Sequence, residues 1–323
     1  QQVLNLFSWA DNFDPEVIAE FEKQYNCKVN YDVFANNEEL LAKIQAGGAQ
    51  YDVIQPSDYM VATMLKLDLL EKMNMDNIPN AKNIVSTLKA PVYDPTGDHS
   101  LVYTWGITGI AYNKNYVKDI PDSWEDLWNP EYAGRLILLN DSRETIGMAL
   151  KKNGFSNNST DPAQVEKAFQ DLKALAPNVL AFDTDTIKQK FIAEEAWIGT
   201  MWTGDASYTL KDNPNIGFVV PKEGATIWAD TFAIPKGAKH KELAEKFINF
   251  MQSPEIAAAN FEYLYYATPN QKAYDEYLDE DIKNNELIFP SDEYLDKCYV
   301  FTNVPDDVYS YMQEQFVKIQ ADK

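Results

Sequence analysis

The stretch VLNLFSWADNFDPEVIAEFEKQYNCKVNYDVFANNEELLAKIQAGGAQYDVIQPSDYM, residues 3–60, decides the fold. Val3 to Phe7 is a strand pattern. Asp14 then offers an N-cap with Pro15 at the first helical position, and Val17, Ile18, Phe21 and Tyr25 recur at helical spacing to make one buried face. KVNYDVF (28–34) is a second strand, and Asn36 through Ala46 is a second helix, stopped by Gly47 and Gly48. YDVI (51–54) is a third strand that runs into QPSDYM and another helix. Strand and helix in alternation predict a parallel sheet.

A second run of the same kind follows. It passes from GIAYN (109–113) through DSWEDLW (122–128) and the strand RLILL (135–139) to a helix announced by Asp161 and Pro162. IGTMW (198–202) and IGFVVP (216–221) add short strands. From Asp230 onward, TFAIPKGAKHKELAEKFINFM has no room to begin a third domain and is expected to return and complete the first. A chain of 323 residues, 45% of them apolar, suits two core-forming units of this α/β type. There is no repeat, low-complexity tract or heptad run.

Composition excludes several classes of partner. With 28 Lys and Arg against 50 Asp and Glu, the net charge is -22, so a phosphate backbone or an anionic membrane surface is repelled. Nucleic acid is not an expected partner. Acidity of this size serves solubility, and it also makes a field that draws in cations. The two cysteines, Cys27 and Cys298, are too few for a disulfide scaffold and wrongly spaced for zinc, and are expected as lone buried thiols. No apolar run approaches the roughly 18 residues that span a bilayer, and no charged-then-apolar leader stands at Gln1.

In an open parallel sheet, ligands bind beyond the carboxyl ends of the strands. That rule selects Ser8-Trp9-Ala10-Asp11 after the first strand and Pro56-Ser57-Asp58-Tyr59 after the third. Three further segments have the same composition: Asn140-Asp141-Ser142-Arg143-Glu144, Trp202-Thr203-Gly204-Asp205 and Trp228-Ala229-Asp230. Five such junctions carry carboxylates and four of them an aromatic as well, which suits a ligand with positive ends and an apolar length. A carboxylate pairs with an ammonium, and an indole or phenol face packs methylenes while attracting the charge, for about 0.5–2 kcal/mol per contact. Asp58, Asp141 and Asp205 could each simply cap a helix, but caps do not require neighbouring tryptophans. Helix N-termini ordinarily favour anions; acidic residues there exclude an anion and offset the dipole for a cation.

The enzymatic readings have no anchor. His99, in TGDHS, and His240, in GAKHKEL, are both expected at the surface, neither in metal-ligand spacing nor beside a nucleophile motif. No glycine-rich nucleotide loop or nucleophile elbow occurs, and no metal or cofactor is expected. A carboxylate-pair glycosidase is the enzymatic alternative, because Trp and Asp also line sugar sites. The reading that the residues favour is a receptor for such a cation, and not an enzyme, with a two-lobed receptor for another cationic solute or for a sugar as the alternative.

At these residues the chain resembles the bacterial spermidine/putrescine-binding proteins, the periplasmic or lipid-anchored receptors of polyamine ABC importers. The likeness runs through FSWADNFDPEVIAEFEKQYNCKV, AQYDVIQPSDYMV, YTWGITGIAYN, SWEDLWNPEYAGRL, LLNDSRETIGMAL, WTGDAS, VVPKEGATIWADTFAIP, KFINFMQSPE and YYATPN. NDSRE, WADTFAIP and YATPN are its specific parts. The resemblance implies the two-lobed periplasmic-binding-protein fold of type II, each lobe a mixed, mostly parallel sheet flanked by helices, with a ligand cleft between lobes that close by hinge motion. On that model one lobe is residues 1–105 plus 229–274, and the other 106–228 plus 275–323. Trp9 and Asp11 match the family's aromatic and acidic pair, and Ser57 and Tyr59 its serine and tyrosine. Asp141 and Glu144 match the acids that meet an amine. Trp202, Trp228 and Tyr266 match the aromatic walls around the methylenes, and Asp230 the aspartate at the central amine. Arg143, cationic within its motif, is expected to orient a carboxylate. Ala10 stands where a hydroxyl is usual and Asn12 where an aromatic is common, and Tyr299 is a candidate for a contact near the C-terminus. Asp205 resembles the putrescine type and Trp228 the spermidine type. A membrane-embedded permease is the implied partner, the chain a monomer, and its location periplasmic or lipid-anchored at the cell surface.

Overall fold

The computed structural model describes residues 1–47, 50–88 and 92–323. By contact the chain divides into two compact units, Gln1–Trp105 with Trp228–Phe289 and Gly106–Ile227 with Pro290–Lys323, so it passes between them three times.

The first unit opens with β1 (Gln2–Trp9), α1 (Pro15–Tyr25), β2 (Cys27–Phe34), α2 (Asn37–Gln45), β3 (Val53–Ile54) and α3 (Asp58–Lys66). β1 lies between β2 and β3, parallel to both, with Leu6 opposite Tyr31 on one side and Val53 on the other. The caps form as the sequence dictates. Asp14 accepts the Glu16 N–H at the start of α1, and Asn36 accepts the Glu39 N–H at the start of α2. Val17 and Phe21 are buried under α1, with Ile18 and Tyr25 packed partly buried against the same core. Gly47, at φ +70, follows α2 in the left-handed region; Gly48 lies outside the described residues.

β4 (Leu101–Asn113) carries the chain out of the first unit. In the second unit come β5 (Leu136–Leu138), α4 (Ser142–Lys152), α5 (Pro162–Leu175), β6 (Val179–Phe182), α6 (Ile187–Ile192), β7 (Ile198–Trp202), α7 (Thr203–Asp212) and β8 (Ile216–Val219). β5 pairs in parallel with β6 and β7, as strand–helix–strand crossovers require. The far half of β4 runs antiparallel to β7 and β8, so this sheet is mixed. DSWEDLW forms one 3-10 turn, Trp124–Trp128, closed by reciprocal bonding of Ser123 and Asp126.

β9 (Ala225–Phe232) leads back into the first unit, where Asp230 bridges Ser57 and Ala233 bridges Ile54. There α8 (Lys241–Met251) sets Phe247 against Phe13, Phe21 and Phe232. This aromatic nest, with Leu4, Leu6 and Val53, is the first unit's core. α9 (Pro254–Leu264), α10 (Gln271–Tyr277) and α11 (Glu280–Lys283) complete that unit. α12 (Asp292–Leu295), β10 (Cys298–Tyr299) and α13 (Asp306–Ala321) return to the second, where Met312, Phe316 and Ile319 join the core around Trp124, Phe169 and Leu172.

Cys27 is buried and Cys298 half-buried, both as free thiols. Burial raises the pKa of each, to about 12 for Cys298, so neither is an activated nucleophile. No helix among the described residues is long and apolar enough to cross a membrane.

Candidate functional site

In the first unit, β1 and β3 end side by side because they are neighbours in a parallel sheet, and that places their terminal residues together. Trp9 is 7% exposed, its Nε1 donating to Gln55 O at 3.2 Å and its ring edge-on to Phe34 at 4.7 Å. Asp11 is exposed at φ 54, in the left-handed region that Asp tolerates better than most residues. The loop is pinned from behind. The Tyr31 hydroxyl donates to Trp9 O, the Asn12 N–H donates to Tyr31 Oη at 3.1 Å, and the Tyr103 hydroxyl donates to Asn12 O at 2.7 Å.

A chain of uncharged groups orients the central carboxylate. The Ser57 N–H donates to Asn37 Oδ1 at 2.8 Å, Asn37 Nδ2 donates to Ser57 Oγ at 3.1 Å, and the Ser57 hydroxyl donates to Asp230 Oδ1 at 2.7 Å. Asp230 therefore holds its direction by hydrogen bonding to a neutral donor. Two residues before it, Trp228 is tilted 54° to Tyr266 with ring centroids 5.6 Å apart. Asp58 accepts the Tyr59 N–H at 2.8 Å and the Ala229 N–H at 3.3 Å, which ties α3 to β9.

The second unit builds its cluster on helix starts. Asp141 caps α4, its Oδ1 accepting the Glu144 N–H at 3.1 Å, and Glu144 accepts from the Thr108 hydroxyl at 3.0 Å. Both carboxylates are buried. Trp202 closes β7, and Asp205 sits in the first turn of α7 with Lys188 Nζ 3.8 Å from its Oδ1. Arg143 is 2% exposed; it donates to Thr302 O at 3.0 Å and Asn158 Oδ1 at 2.9 Å and covers the Phe301 ring. Those bonds hold the C-terminal segment to α4, a role not expected from the sequence. Tyr299 is exposed, its ring under Lys151 Nζ at 3.9 Å.

Several residues beside these clusters had no sequence signal. Asn37 is one. Glu38 accepts from the Tyr59 hydroxyl at 2.8 Å through Oε1, while its Oε2 is buried and receives no hydrogen bond. Gln55 accepts from Asn12 Nδ2 at 2.6 Å and from the Ser8 hydroxyl. The Tyr93 hydroxyl is buried without a hydrogen-bond partner. Its burial, and the negative charge of Asp58, Asp94 and Asp230, raise the phenol well above its ordinary range. Lys188, the counter-charge to Asp205, is a fifth.

Carboxylates held by hydroxyls and backbone amides, beside indole and phenol faces, are suited to receive a donor-rich cation. The profile of the bacterial extracellular solute-binding proteins matches residues 16–290, and the chain belongs to that family. The likeness to the spermidine/putrescine receptors read in the sequence is borne out. The chain is 36% identical over 322 residues to the spermidine/putrescine-binding periplasmic protein of Escherichia coli K12, covering 98% of this chain and 91% of that one. It is 30% identical over 341 residues to the putrescine-binding periplasmic protein SpuD of Pseudomonas aeruginosa, covering 100% and 93%. A solved structure from Listeria monocytogenes, described as a spermidine/putrescine ABC transporter, superposes with a TM-score of 0.96 at 35% identity over 100% of both chains. The α/β periplasmic-binding-protein fold of type II, expected from the sequence, is the fold these relatives share.

Proposed function

We propose that this chain is the extracytoplasmic receptor of an ABC importer, that it binds a polyamine such as spermidine or putrescine, and that it passes the ligand unchanged to a membrane permease. The observation that carries this reading is Asp230. It is a buried carboxylate aimed by Ser57 and set two residues from the Trp228–Tyr266 pair. An ammonium offers only donors, which a carboxylate accepts, and its methylenes need an apolar wall. Relatives whose names state spermidine or putrescine binding support the ligand class.

On this reading Trp9, Asp11, Ser57, Tyr59, Trp228, Asp230 and Tyr266 serve one part of the ligand, and Asp141, Glu144, Trp202 and Asp205 another. Asp58 contributes by tying α3 to β9, and Glu38 orients the Tyr59 hydroxyl through Oε1. Micromolar binding requires only about -8 kcal/mol, within reach of a few charge-assisted hydrogen bonds and buried methylenes after desolvation. The receptor is monomeric, free in a periplasm or lipid-anchored, and not an enzyme.

Competition dialysis against labelled spermidine tests the class. Displacement by putrescine and not by glucose, with the spermidine recovered chemically intact after prolonged incubation, is the expected result. Displacement by glucose, or cleavage of an oligosaccharide, would favour the sugar receptor or the glycosidase instead.

A further inference from the structure

In the first unit, the turn Asp94-Pro95-Thr96-Gly97-Asp98-His99 gathers three ligand-type side chains. Gly97, at φ +70 and donating its N–H to Asp94 O at 3.0 Å, reverses the chain so that Asp98 and His99 come back over Asp94. Asp94 is 0% exposed. Its Oδ2 accepts from the His99 N–H at 3.1 Å and the Ser100 hydroxyl at 2.8 Å, which fixes the plane of the carboxylate. Its Oδ1 is buried and receives no hydrogen bond, with His99 Nδ1 3.6 Å away, beyond hydrogen-bond reach.

Around that oxygen the other donors are already spaced as ligands. His99 Nδ1 is 3.0 Å from Asp98 Oδ1 and 3.2 Å from Thr96 Oγ1, and Thr96 Oγ1 is 2.6 Å from Asp98 Oδ1. Atoms held about 2.0–2.2 Å from one ion at tetrahedral or octahedral angles stand about 2.8–3.6 Å apart. The two edges at His99 Nδ1, 3.6 Å to Asp94 Oδ1 and 3.0 Å to Asp98 Oδ1, fall in that interval, and one ligand atom from each of the three residues lies within 4.8 Å of the others. A plain His–Asp ion pair explains less, because one Nδ1–H satisfies Asp98 and leaves the buried Asp94 oxygen without a partner, which is costly. Lys72 approaches the other oxygen of Asp98, Oδ2, at 3.3 Å from an exposed position and leaves Oδ1 facing His99.

We propose that Asp94, Asp98 and His99, with the Thr96 hydroxyl steadying Asp98, bind one first-row divalent cation, Zn²⁺ by preference. An imidazole nitrogen among carboxylate oxygens suits zinc and its neighbours, whereas magnesium and calcium take oxygen ligands. The ion would staple the turn that leads into β4.

Zn²⁺ alone, in a chelator-buffered titration of the full chain, is the probe. The chain has only two histidines, so two imidazole signals report the site by ¹⁵N NMR. One Zn²⁺ per chain is expected at micromolar free metal, shifting the His99 Nδ1 signal and leaving His240 unmoved, with no competition from millimolar Mg²⁺. His99→Gln and Asp98→Asn should each weaken binding by about 30-fold or more while keeping the wild-type circular dichroism. The proposal fails if micromolar Zn²⁺ leaves His99 unmoved, if the shift falls on His240, or if either folded variant binds as the wild type does. The NMR readout needs no variant, so it decides even where one fails to fold.

Discussion

The two acidic clusters reach the same chemistry by different supports. In the first unit Asp230 is directed by an uncharged relay, Asn37 to Ser57 to Asp230, beside the Trp228–Tyr266 pair. In the second unit Asp141 is engaged as the cap of α4, and Asp205 has Lys188 3.8 Å away. A carboxylate that serves a helix end or faces a lysine has part of its field spent there, whereas the Ser57 hydroxyl orients Asp230 without adding a charge of its own. The first cluster should therefore dominate affinity and the second should tune it.

Asp230→Asn is the strongest way to break that asymmetry. An amide oxygen can still accept from Ser57, so the melting temperature should stay within about 2 °C, while polyamine affinity falls at least ~10-fold, or about 1.4 kcal/mol. Calorimetry with a thermal scan checks both. Asp141 can be divided into its two duties. Asp141→Asn keeps the cap and removes the charge, and should cost about 5-fold in affinity; Asp141→Ala should also lose about 1 kcal/mol of stability, seen as a lower denaturation midpoint. Equal stability of the two variants would remove the capping role.

Ser57→Ala sharpens the relay. It should weaken binding about 3-fold in the wild type and have almost no effect when Asp230 is already Asn, because the two side chains act as one unit. Additive losses would show that Ser57 acts elsewhere. The smallest effect is expected from Lys188→Met, which leaves Asp205 without that counter-charge and should tighten binding by about 2-fold, more at low salt than at high. Weaker binding in that variant would mean that Lys188 holds Asp205 in place for the ligand.

Most of the fold is legible in residues 3–60 because cap, period and breaker agree at each boundary. Asp14–Pro15, Asn36 and Gly47 mark ends that local chemistry alone dictates. The mixed character of the second sheet is less legible. It depends on β4 entering from another unit, and no local residue encodes an antiparallel neighbour 92 residues on, such as Met201 opposite Gly109. Within the site, the strand-end carboxylates and aromatics stand out by composition. Asn37, Glu38, Gln55 and Lys188 do not, because an amide, an acid or a lysine in a helix or loop carries no mark until tertiary contact supplies its partner. Family resemblance singled out Asp230 for the central amine, but its bond to Ser57 spans 173 positions and only the folded chain reveals it. The expectation of a surface place for His99 has the same cause. Its side chain is 22% exposed, and the turn that brings Asp94 to it depends on the left-handed Gly97.

Calorimetric titration of ligand-stripped protein with putrescine, spermidine, spermine and glucose at moderate salt tests the central claim most directly. Micromolar or tighter binding of at least one polyamine, with no heat from glucose, is the predicted result and also ranks the preferred length. Silence across all three amines would contradict the account and assign the acidic and aromatic clusters to another solute.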